Sequence, residues 1–530
     1  MAVSNIRSSG QSKRLVAAAL FTLCIAPTFI SYKPYLFSWD DSDYLVRSIR
    51  VSQAFWSGSV HGLSAMSSIR PPAMTLLGIP WGPLASWDAA GKCFITLAVL
   101  ISLVAALCLY LLLRIEVRPL FLILASICVV ASIGPYPRGS TAHLCATAFL
   151  SDSLFAWTTL AAVLLIPYEA RTDKLSIRHA VVRGILWGSI LSLGVMTKVN
   201  FLYFIVLIVP TLVVIRLRHS GLRSASAAFI ASAATSAPAA IYLVRYGRPA
   251  FANGAASSFG HLAEFFYVPL LPYLRTTFRE SPGLVLSFAL MAVAVAYLVI
   301  KKRSLVWRPD SLALLIVIGF GVVVLAAPNR QIRYAFPIIL ALPFLFGVLM
   351  SPRGNSVPAR SAALAGGLVF CGLLAASMPL RHRADRRSLS RSDAVLAQAA
   401  RCNAKRVLLA TDSPTLNQDL MHLALAVSPS AAPVEVETMA YRALSGTLIE
   451  EDFRVMRESD QVIFQDKYAL NPAFTNQRAV EYELYALQKE GGVPIRVGDD
   501  VSVYPMHSCA PQVVTRSLKL SVSPKGDGPI

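Results

Sequence analysis

Charged residues are scarce in this sequence of 530 residues. Asp, Glu, Lys and Arg make up 15% of it, whereas about 25% is usual in soluble globular domains. Hydrophobic residues make up 55%, and the mean hydropathy is +0.57. This composition excludes a soluble globular protein and predicts an integral membrane protein.

Acidic residues are the scarcer of the two charged classes, since 29 of them stand against 49 basic residues, for a net charge of +20. A basic excess of this kind often accompanies nucleic-acid binding, but the sequence has no zinc-finger spacing and no RNA-binding signature. The basic residues gather instead in short loops between apolar runs, where Lys and Arg bind anionic lipid head groups. We therefore expect membrane lipids, and no nucleic acid, among the partners.

Cysteines and nucleotide-binding motifs are also few. Eight cysteines are too few for a disulfide scaffold, and most lie in or beside apolar runs, where a thiol packs as a small apolar group. Cys402 and Cys509 bracket the C-terminal region, and we predict a disulfide between them, with two unpaired thiols as the alternative. No glycine-rich phosphate-binding motif follows the first C-terminal strand, so nucleotide binding is not supported.

Long apolar runs are abundant. About eleven of them reach the roughly 17 to 25 residues needed to cross a hydrocarbon core about 30 Å thick. The first, 15–30, is also compatible with the h-region of a signal peptide, but no A-x-A site follows it, which favours an uncleaved span. The others are predicted at 89–113, 119–134, 147–167, 180–197, 199–215, 224–244, 284–300, 311–327, 334–350 and 361–380.

Basic residues in alternate short loops predict the orientation, because Lys and Arg accumulate on the cytoplasmic side. They place the N-terminus in the cytoplasm and the loop 31–88 outside, in a multi-pass protein of the plasma (inner) membrane. An odd number of spans then puts the residues after about 380 outside as well. We expect a membrane domain over 1–380, an extracytoplasmic α/β domain over 381–510, built from alternating short strands and helices, and a disordered tail over 511–530.

Three carboxylates, Asp40, Asp41 and Asp43, stand in the stretch FSWDDSDY of the outer loop. Ordinary solvated loop acids are the simple explanation. However, these residues are flanked by Phe37, Trp39 and Tyr44, and like charges crowded beside apolar surface are costly. Active sites accept such costs, so the cluster is a candidate site.

The motifs resemble those of the GT-C glycosyltransferases, in the branch of protein O-mannosyltransferases, aminoarabinose transferase and RgtA/B/C/D-like enzymes. DDSDY at 40–44 resembles the D-E-x-x-Y motif of the first outer loop, with Asp41 in place of glutamate. The other segments are similar to the family's x-P-P-L, S-E-x-L-F, G-x-x-x-T-K and R-Y-x-x-P, although Ala73 stands where leucine is usual and Asp152 where glutamate is usual. They are Arg70–Pro72, Ser151–Phe155, Gly194–Lys198 and Arg333–Pro337.

The resemblance implies an α-helical GT-C membrane protein that transfers a sugar from a polyprenyl-phosphate carrier to an acceptor hydroxyl of a glycan, lipid or protein. A carboxylate must accept the hydroxyl proton, and the motif points to Asp40 first and Asp41 next. Cations must meet the charge of the leaving phosphate. The candidates for phosphate binding are Lys198, Arg333, Arg330 and Arg70, and those for substrate binding are Asp43, Tyr44, Asp152 and Tyr334.

Simpler roles remain open for several of these residues. Lys198 is placed to extend to the membrane interface, Arg333 to bind lipid head groups, and Asp152 to pair with Arg138. His61, His143 and His261 show no zinc spacing, so we predict no zinc site. A divalent cation on Asp40 and Asp41 is an open alternative to a metal-free enzyme.

Two other classes of protein compete with an enzyme. A transporter or flippase of lipid-linked substrates usually places ionisable groups near the midplane within inverted repeats. Here the acids lie at the outer mouth and no repeat is evident. A receptor that senses through the C-terminal domain would leave the N-terminal acids without a role. We therefore favour the glycosyltransferase.

Overall fold

The structure is a computed structural model. The residues that it describes are 33–35, 39–59, 70–133, 149–172, 176–252, 267–300, 308–351, 382–384, 386–428, 433–439, 449–466, 477–489 and 492–506. The predicted spans 15–30 and 361–380, the predicted domain boundary at 380 and the tail 511–530 lie outside these residues.

The acidic motif opens a helix. Strand β1 (Lys33–Tyr35) precedes helix α1 (Trp39–Trp56) and pairs in parallel with β2 (His382–Ala384). Leu45 and Ile49, one helical turn apart, are fully buried, whereas Phe55 is 47% exposed. Phe55 lies ten residues after Leu45, and at about 100° per residue this places it on a different face of the helix.

Apolar helices follow in the order of the predicted spans. Among the described residues, six helices are long and apolar enough to cross a membrane, or seven if the bent pair α8 and α9, at 97°, is one span. The bounds of these eight helices and of the shorter α3 and α7 are α2 Asp88–Arg114, α3 Pro119–Ile133, α4 Ser151–Ala170, α5 Ile177–Thr197, α6 Leu202–Thr235, α7 Ala237–Tyr242, α8 Leu270–Glu280, α9 Pro282–Ile300, α10 Pro309–Ala326 and α11 Ile332–Leu349.

Helix α6 consists of two helices that meet at Gly221. The sequence predicts spans at 199–215 and 224–244, and the helical residues before and after Gly221 correspond to them. Gly221 has a φ of 77°, a left-handed conformation that glycine adopts without a steric penalty. The predicted loop between the two spans therefore corresponds to the kink at Gly221.

Helix α4 is the centre of the bundle. Each of its residues is buried, and it packs against α2, α5, α6, α10 and α11. Its sequence is apolar on all sides except at its two ends, which is the pattern of a helix surrounded by others. Asp152 and Glu169, near the two ends, therefore need partners on neighbouring helices.

Helices α5 and α6 approach each other very closely. A Cβ atom added at Gly184 would collide with the carbonyl oxygen of Ala228, and one at Gly188 would collide with that of Ser232. Small residues four apart allow such backbone contact in membranes. This contact fixes the position of α5 relative to α6, and with it the position of Lys198, the residue that follows α5.

Glu169 holds three helices together at the other end of α4. Its carboxylate lies 2.5 Å from Nε of Arg216 on α6, and both side chains are fully buried. From α5, Trp187 donates a hydrogen bond to Oε1 of Glu169 at 3.0 Å, and Arg183 forms an ion pair with it at 3.3 Å. Loss of this one carboxylate would leave two cations without their partner.

Glu169→Gln is expected to destabilise the protein. The substitution keeps the shape of the side chain but leaves the Arg216 guanidinium buried without a counter-ion, which typically costs about 3–5 kcal/mol. Thermal unfolding of the detergent-solubilised variant should show a clearly lower melting temperature than wild type. Glu116→Gln, a change at an exposed glutamate, is the control, and an equal melting temperature for both variants would contradict the assigned role.

The C-terminal domain is a mixed α/β sandwich with five strands in the order β4-β3-β5-β7-β6. Strand β3 is parallel to β4 and β5, and β7 is antiparallel to β5 and β6. The elements are α12 Ser390–Arg401, β3 Arg406–Leu409, α13 Gln418–Val427, β4 Glu435–Thr438, α14 Ile449–Glu458, β5 Gln461–Gln465, α15 Gln477–Lys489, β6 Ile495–Val497 and β7 Val501–Pro505.

The predicted alternation of strands and helices is confirmed from β3 to β6, whereas β7 was not predicted. It follows a turn at Gly498, with φ 69°, which returns the chain antiparallel to β6. Cys402 is disulfide-bonded. Its predicted partner Cys509 lies outside the described residues, so that pairing stays a prediction.

Candidate active site

Asp40, in the first turn of α1, lies between two arginines from distant parts of the chain. Its Oδ2 is 2.6 Å from Nη1 of Arg333, the second residue of α11. Its Oδ1 is 3.4 Å from Nη1 of Arg70. The three side chains are 29% to 39% exposed, so they are screened from bulk water but remain accessible.

Arg70 also joins Asp40 to the next turn of α1. Its Nη1 is 3.2 Å from Oδ2 of Asp43, and its guanidinium lies 5.2 Å from the centre of the Tyr44 ring. Asp43 in turn accepts a hydrogen bond from Nε of Arg47 at 2.8 Å. Acids and cations therefore alternate along this face, which stabilises the close carboxylates.

Asp152 and Lys198 form the second ion pair of the site. Asp152 opens α4 and is 3% exposed, while Lys198 follows the last residue of α5 and is 19% exposed. The Nζ of Lys198 is 2.5 Å from Oδ1 of Asp152 and 5.7 Å from the centre of the Tyr334 ring. The partner of Asp152 is therefore Lys198, and Arg138 lies outside the described residues.

The two ion pairs belong to one cluster. Arg333, which binds Asp40, also lies 5.3 Å from the centre of the Tyr334 ring, the ring that Lys198 approaches. The charges of Lys198 and Asp40 act on each other. The hydroxyl groups of Tyr44 and Ser151, just before Asp152, are 3.4 Å apart. Residues from the starts of α1, α4 and α11 and from the end of α5 thus converge.

The neighbouring cations determine the charge of Asp40. Burial by itself raises the pKa of this carboxyl group, but the positive charges of Arg333 and Arg70 outweigh burial and hold the pKa below the ordinary value of 3.8. Asp40 is therefore ionised at neutral pH, as an acceptor of protons must be.

Two predicted residues are placed differently. Asp41 is 1% exposed, and its Oδ1 accepts a hydrogen bond from its neighbour Ser42. Arg330 donates to the carbonyl oxygens of Leu325, at 2.8 Å, and Val268, at 2.7 Å. Within the part of the chain that the structure describes, no ion pair brings Arg330 to the cluster, because these carbonyl groups hold its guanidinium.

One residue near the site was missed by the sequence analysis. Asp419 opens α13 of the C-terminal domain, and α13 packs on α1. Its charge interacts with those of Asp43, Arg70 and Asp40. The stretch NQDLMHLALAV gives only a helix with a capped N-terminus, and no local pattern indicates that this helix meets the acidic motif.

A metal site was left open by the sequence. Among the described residues, no group of three or more His, Cys, Asp or Glu side chains could hold a metal ion. Both oxygens of Asp40 face guanidinium groups, which repel a divalent cation. The donor set around Asp40 therefore does not fit a metal.

Apolar helices that pack around α4 and a small α/β domain define a polytopic membrane protein. Its fold is similar to that of ArnT. ArnT from Cupriavidus metallidurans bound to undecaprenyl phosphate matches with a TM-score of 0.50 and 11% identity, over 94% of this chain and 98% of that one. Its apo state matches over the same shares with a TM-score of 0.43 and 13% identity.

No protein-family model matches this sequence. No curated protein matches it either. The structural likeness to ArnT establishes the fold alone, and it confirms the predicted fold class.

Proposed function

We propose that this protein is a membrane glycosyltransferase that moves a sugar from a polyprenyl-phosphate carrier to an acceptor hydroxyl group of a glycan, lipid or protein. The observation that carries the proposal is the Asp40–Arg333 ion pair of 2.6 Å, beside the Asp152–Lys198 pair. It joins a candidate base to candidate phosphate-binding cations. The GT-C fold, shared with ArnT bound to undecaprenyl phosphate, agrees with this chemistry.

Lys198, Arg333 and Arg70 are the proposed phosphate-binding residues. The leaving group is a lipid phosphate, and preorganised cations stabilise the charge that develops on it. Tyr334, whose ring centre lies 5.7 Å from Nζ of Lys198 and 5.3 Å from the guanidinium of Arg333, is the proposed platform for the substrate. Arg330, held by backbone carbonyl groups, is not included.

Asp40 is the proposed general base. Its carboxylate is ionised and partly exposed, so it can accept the acceptor's proton as the oxygen attacks the anomeric carbon. The bond from that carbon to the carrier phosphate breaks in the same step, and the phosphate leaves with the electron pair. Asp41 is buried in the helix, which favours a structural role, while Asp43 and Asp152 orient Arg70 and Lys198.

The same geometry argues against the transporter. All of these ionisable groups lie at helix ends or in the outer helix α1, whereas transporters place theirs near the midplane. We place the protein in the plasma (inner) membrane, with the N-terminus in the cytoplasm and the C-terminal domain and site outside. Basic loops support this orientation.

Binding of polyprenyl phosphate tests the phosphate site. Wild type in detergent should be stabilised against heat by undecaprenyl phosphate, because a ligand that binds only the folded state raises its apparent stability. The double variant Asp152→Asn, Lys198→Met loses one cation without leaving an unpaired buried charge, and we expect about tenfold weaker binding.

Lys92→Met is the control for this measurement, since Lys92 pairs only with its neighbour Asp88 on α2 among the described residues. Equal stabilisation of wild type, control and double variant would contradict the assignment of Lys198. Absence of stabilisation in wild type would contradict the carrier itself.

A further inference from the structure

The end of the bundle opposite the candidate active site has more positive than negative charge. Here Glu169, near the end of α4, pairs with both Arg216 and Arg183, at 2.5 and 3.3 Å. Arg114, the last residue of α2, is exposed, and among the described residues it takes part in no ion pair. Glu116, two residues further on, forms none either within the described ranges. An excess of positive charge is therefore left at this surface.

Two tyrosine rings connect the arginines of α2 and α5. The guanidinium of Arg114 lies 5.4 Å from the centre of the Tyr110 ring. The Tyr110 ring meets the Tyr168 ring of α4 edge to face, with the ring centres 6.4 Å apart. The guanidinium of Arg183, on α5, lies 3.9 Å from the centre of the Tyr168 ring. Because an aromatic face attracts a cation, these rings hold both guanidinium groups in place.

The surface of α2 that leads to Arg114 has the profile of a lipid contact. Leu103 and Tyr110 are 45% and 43% exposed. Seven residues separate them and four more lead to Arg114, so the three side chains lie on one face of the helix. An aliphatic group, an aromatic ring and a cation therefore follow one another toward the end of the span. The acyl chain, glycerol and phosphate of a phospholipid come in the same order.

We propose that Arg114, Tyr110 and Arg183 form a binding site for the phosphate group of an anionic phospholipid. Arg114 donates hydrogen bonds to the phosphate oxygens, and Arg183, which is 17% exposed, adds a second positive charge. Tyr110 contacts the glycerol and the upper part of the acyl chain. In the orientation proposed above, the site faces the cytoplasmic leaflet, where anionic lipids attract basic side chains. It does not depend on the proposed transferase activity.

Lipid retention by the full-length protein in detergent tests the proposal. Native mass spectrometry compares phosphatidylglycerol with phosphatidylcholine of the same acyl chains, and we expect wild type to bind the first about tenfold more tightly. Arg114→Gln should bind phosphatidylglycerol about tenfold more weakly, because hydrogen bonds from a guanidinium to a phosphate are charge-assisted. Tyr110→Leu should weaken binding about threefold, since Arg114 loses its aromatic contact. Both side chains are exposed, so both variants should fold.

The matched control is Arg178→Gln, a change at an exposed arginine in the first turn of α5, at the same end of the bundle. It should bind phosphatidylglycerol within twofold of wild type. Equal weakening by Arg178→Gln and Arg114→Gln would show an unspecific attraction to basic loops and overturn the proposal. Equal retention of the two lipids by wild type would overturn it as well.

Two further arms exclude other phosphates. An excess of inorganic phosphate should not displace phosphatidylglycerol from wild type, and displacement would show a site for the free anion instead of the lipid. The double variant Asp152→Asn, Lys198→Met should retain phosphatidylglycerol as wild type does. Loss of the lipid from this variant would place it at the opposite end, with the polyprenyl phosphate, and contradict the proposed site. Neither result depends on sugar transfer, so a failure of the proposed function leaves this test intact.

Discussion

An Asp40→Asn variant is expected to lose about 10²- to 10⁴-fold in kcat for sugar transfer, the range that a general base contributes. Asparagine keeps the size of the side chain and can still accept a hydrogen bond from Arg333, which now lies 2.6 Å from the carboxylate. It cannot take the proton of the acceptor hydroxyl group. The measurement is the rate of transfer of labelled sugar by purified protein at saturating donor.

Two companion variants sharpen this prediction. Asp88→Asn also removes an exposed, ion-paired aspartate from the first turn of a helix, and it should transfer at the wild-type rate. Asp41→Asn changes a buried residue. We therefore expect it to lower the melting temperature and to leave kcat close to that of wild type. Full activity of Asp40→Asn, or a loss confined to Asp41→Asn, would move the base away from Asp40.

An Arg333→Gln variant is expected to lose about 10²- to 10³-fold in kcat, the cost of removing one preorganised group from a developing charge. Glutamine still donates hydrogen bonds but carries no charge to meet the leaving phosphate. Binding of undecaprenyl phosphate should weaken as well, because in the proposed mechanism the cation contacts the phosphate before and during the reaction.

The matched control for Arg333 is Arg279→Gln, a change at an exposed arginine near the end of α8. Arg333→Lys should recover part of the activity, because charge returns without the two-pronged geometry of the guanidinium. A loss in Arg333→Gln that Arg333→Lys does not recover at all would indicate a packing role. An Arg333→Gln variant with the wild-type rate would remove Arg333 from the site.

Local pattern was enough to predict most of the helices and strands. The apolar run 147–167 predicts α4, because a span must be long and apolar wherever it lies in the bundle. It does not predict that α4 is the central helix. The sequence did separate the two helices that meet at Gly221, because a glycine between basic residues suits a break between two spans.

The contacts of the site depended on tertiary structure. Asp40 and Arg333 are 293 residues apart, and motif resemblance was the signal that grouped them. Arg330 lies in the same short loop as Arg333, but the sequence could not show that the carbonyl groups of Val268 and Leu325 bind its guanidinium group. Asp419 carried no such signal, because packing of α13 on α1 is a long-range contact that neither segment encodes locally.

The most direct test follows the carrier during the reaction. Wild type in lipid vesicles is given a panel of sugar-linked polyprenyl phosphates and a membrane extract as acceptor, and mass spectrometry follows free polyprenyl phosphate and sugar-modified acceptor. We predict that at least one donor gives both products in equal amounts with wild type, and that Asp40→Asn gives neither at a comparable rate. Failure of each donor with wild type, or equal product from both proteins, would contradict the proposal that these converging charges form a glycosyltransferase site.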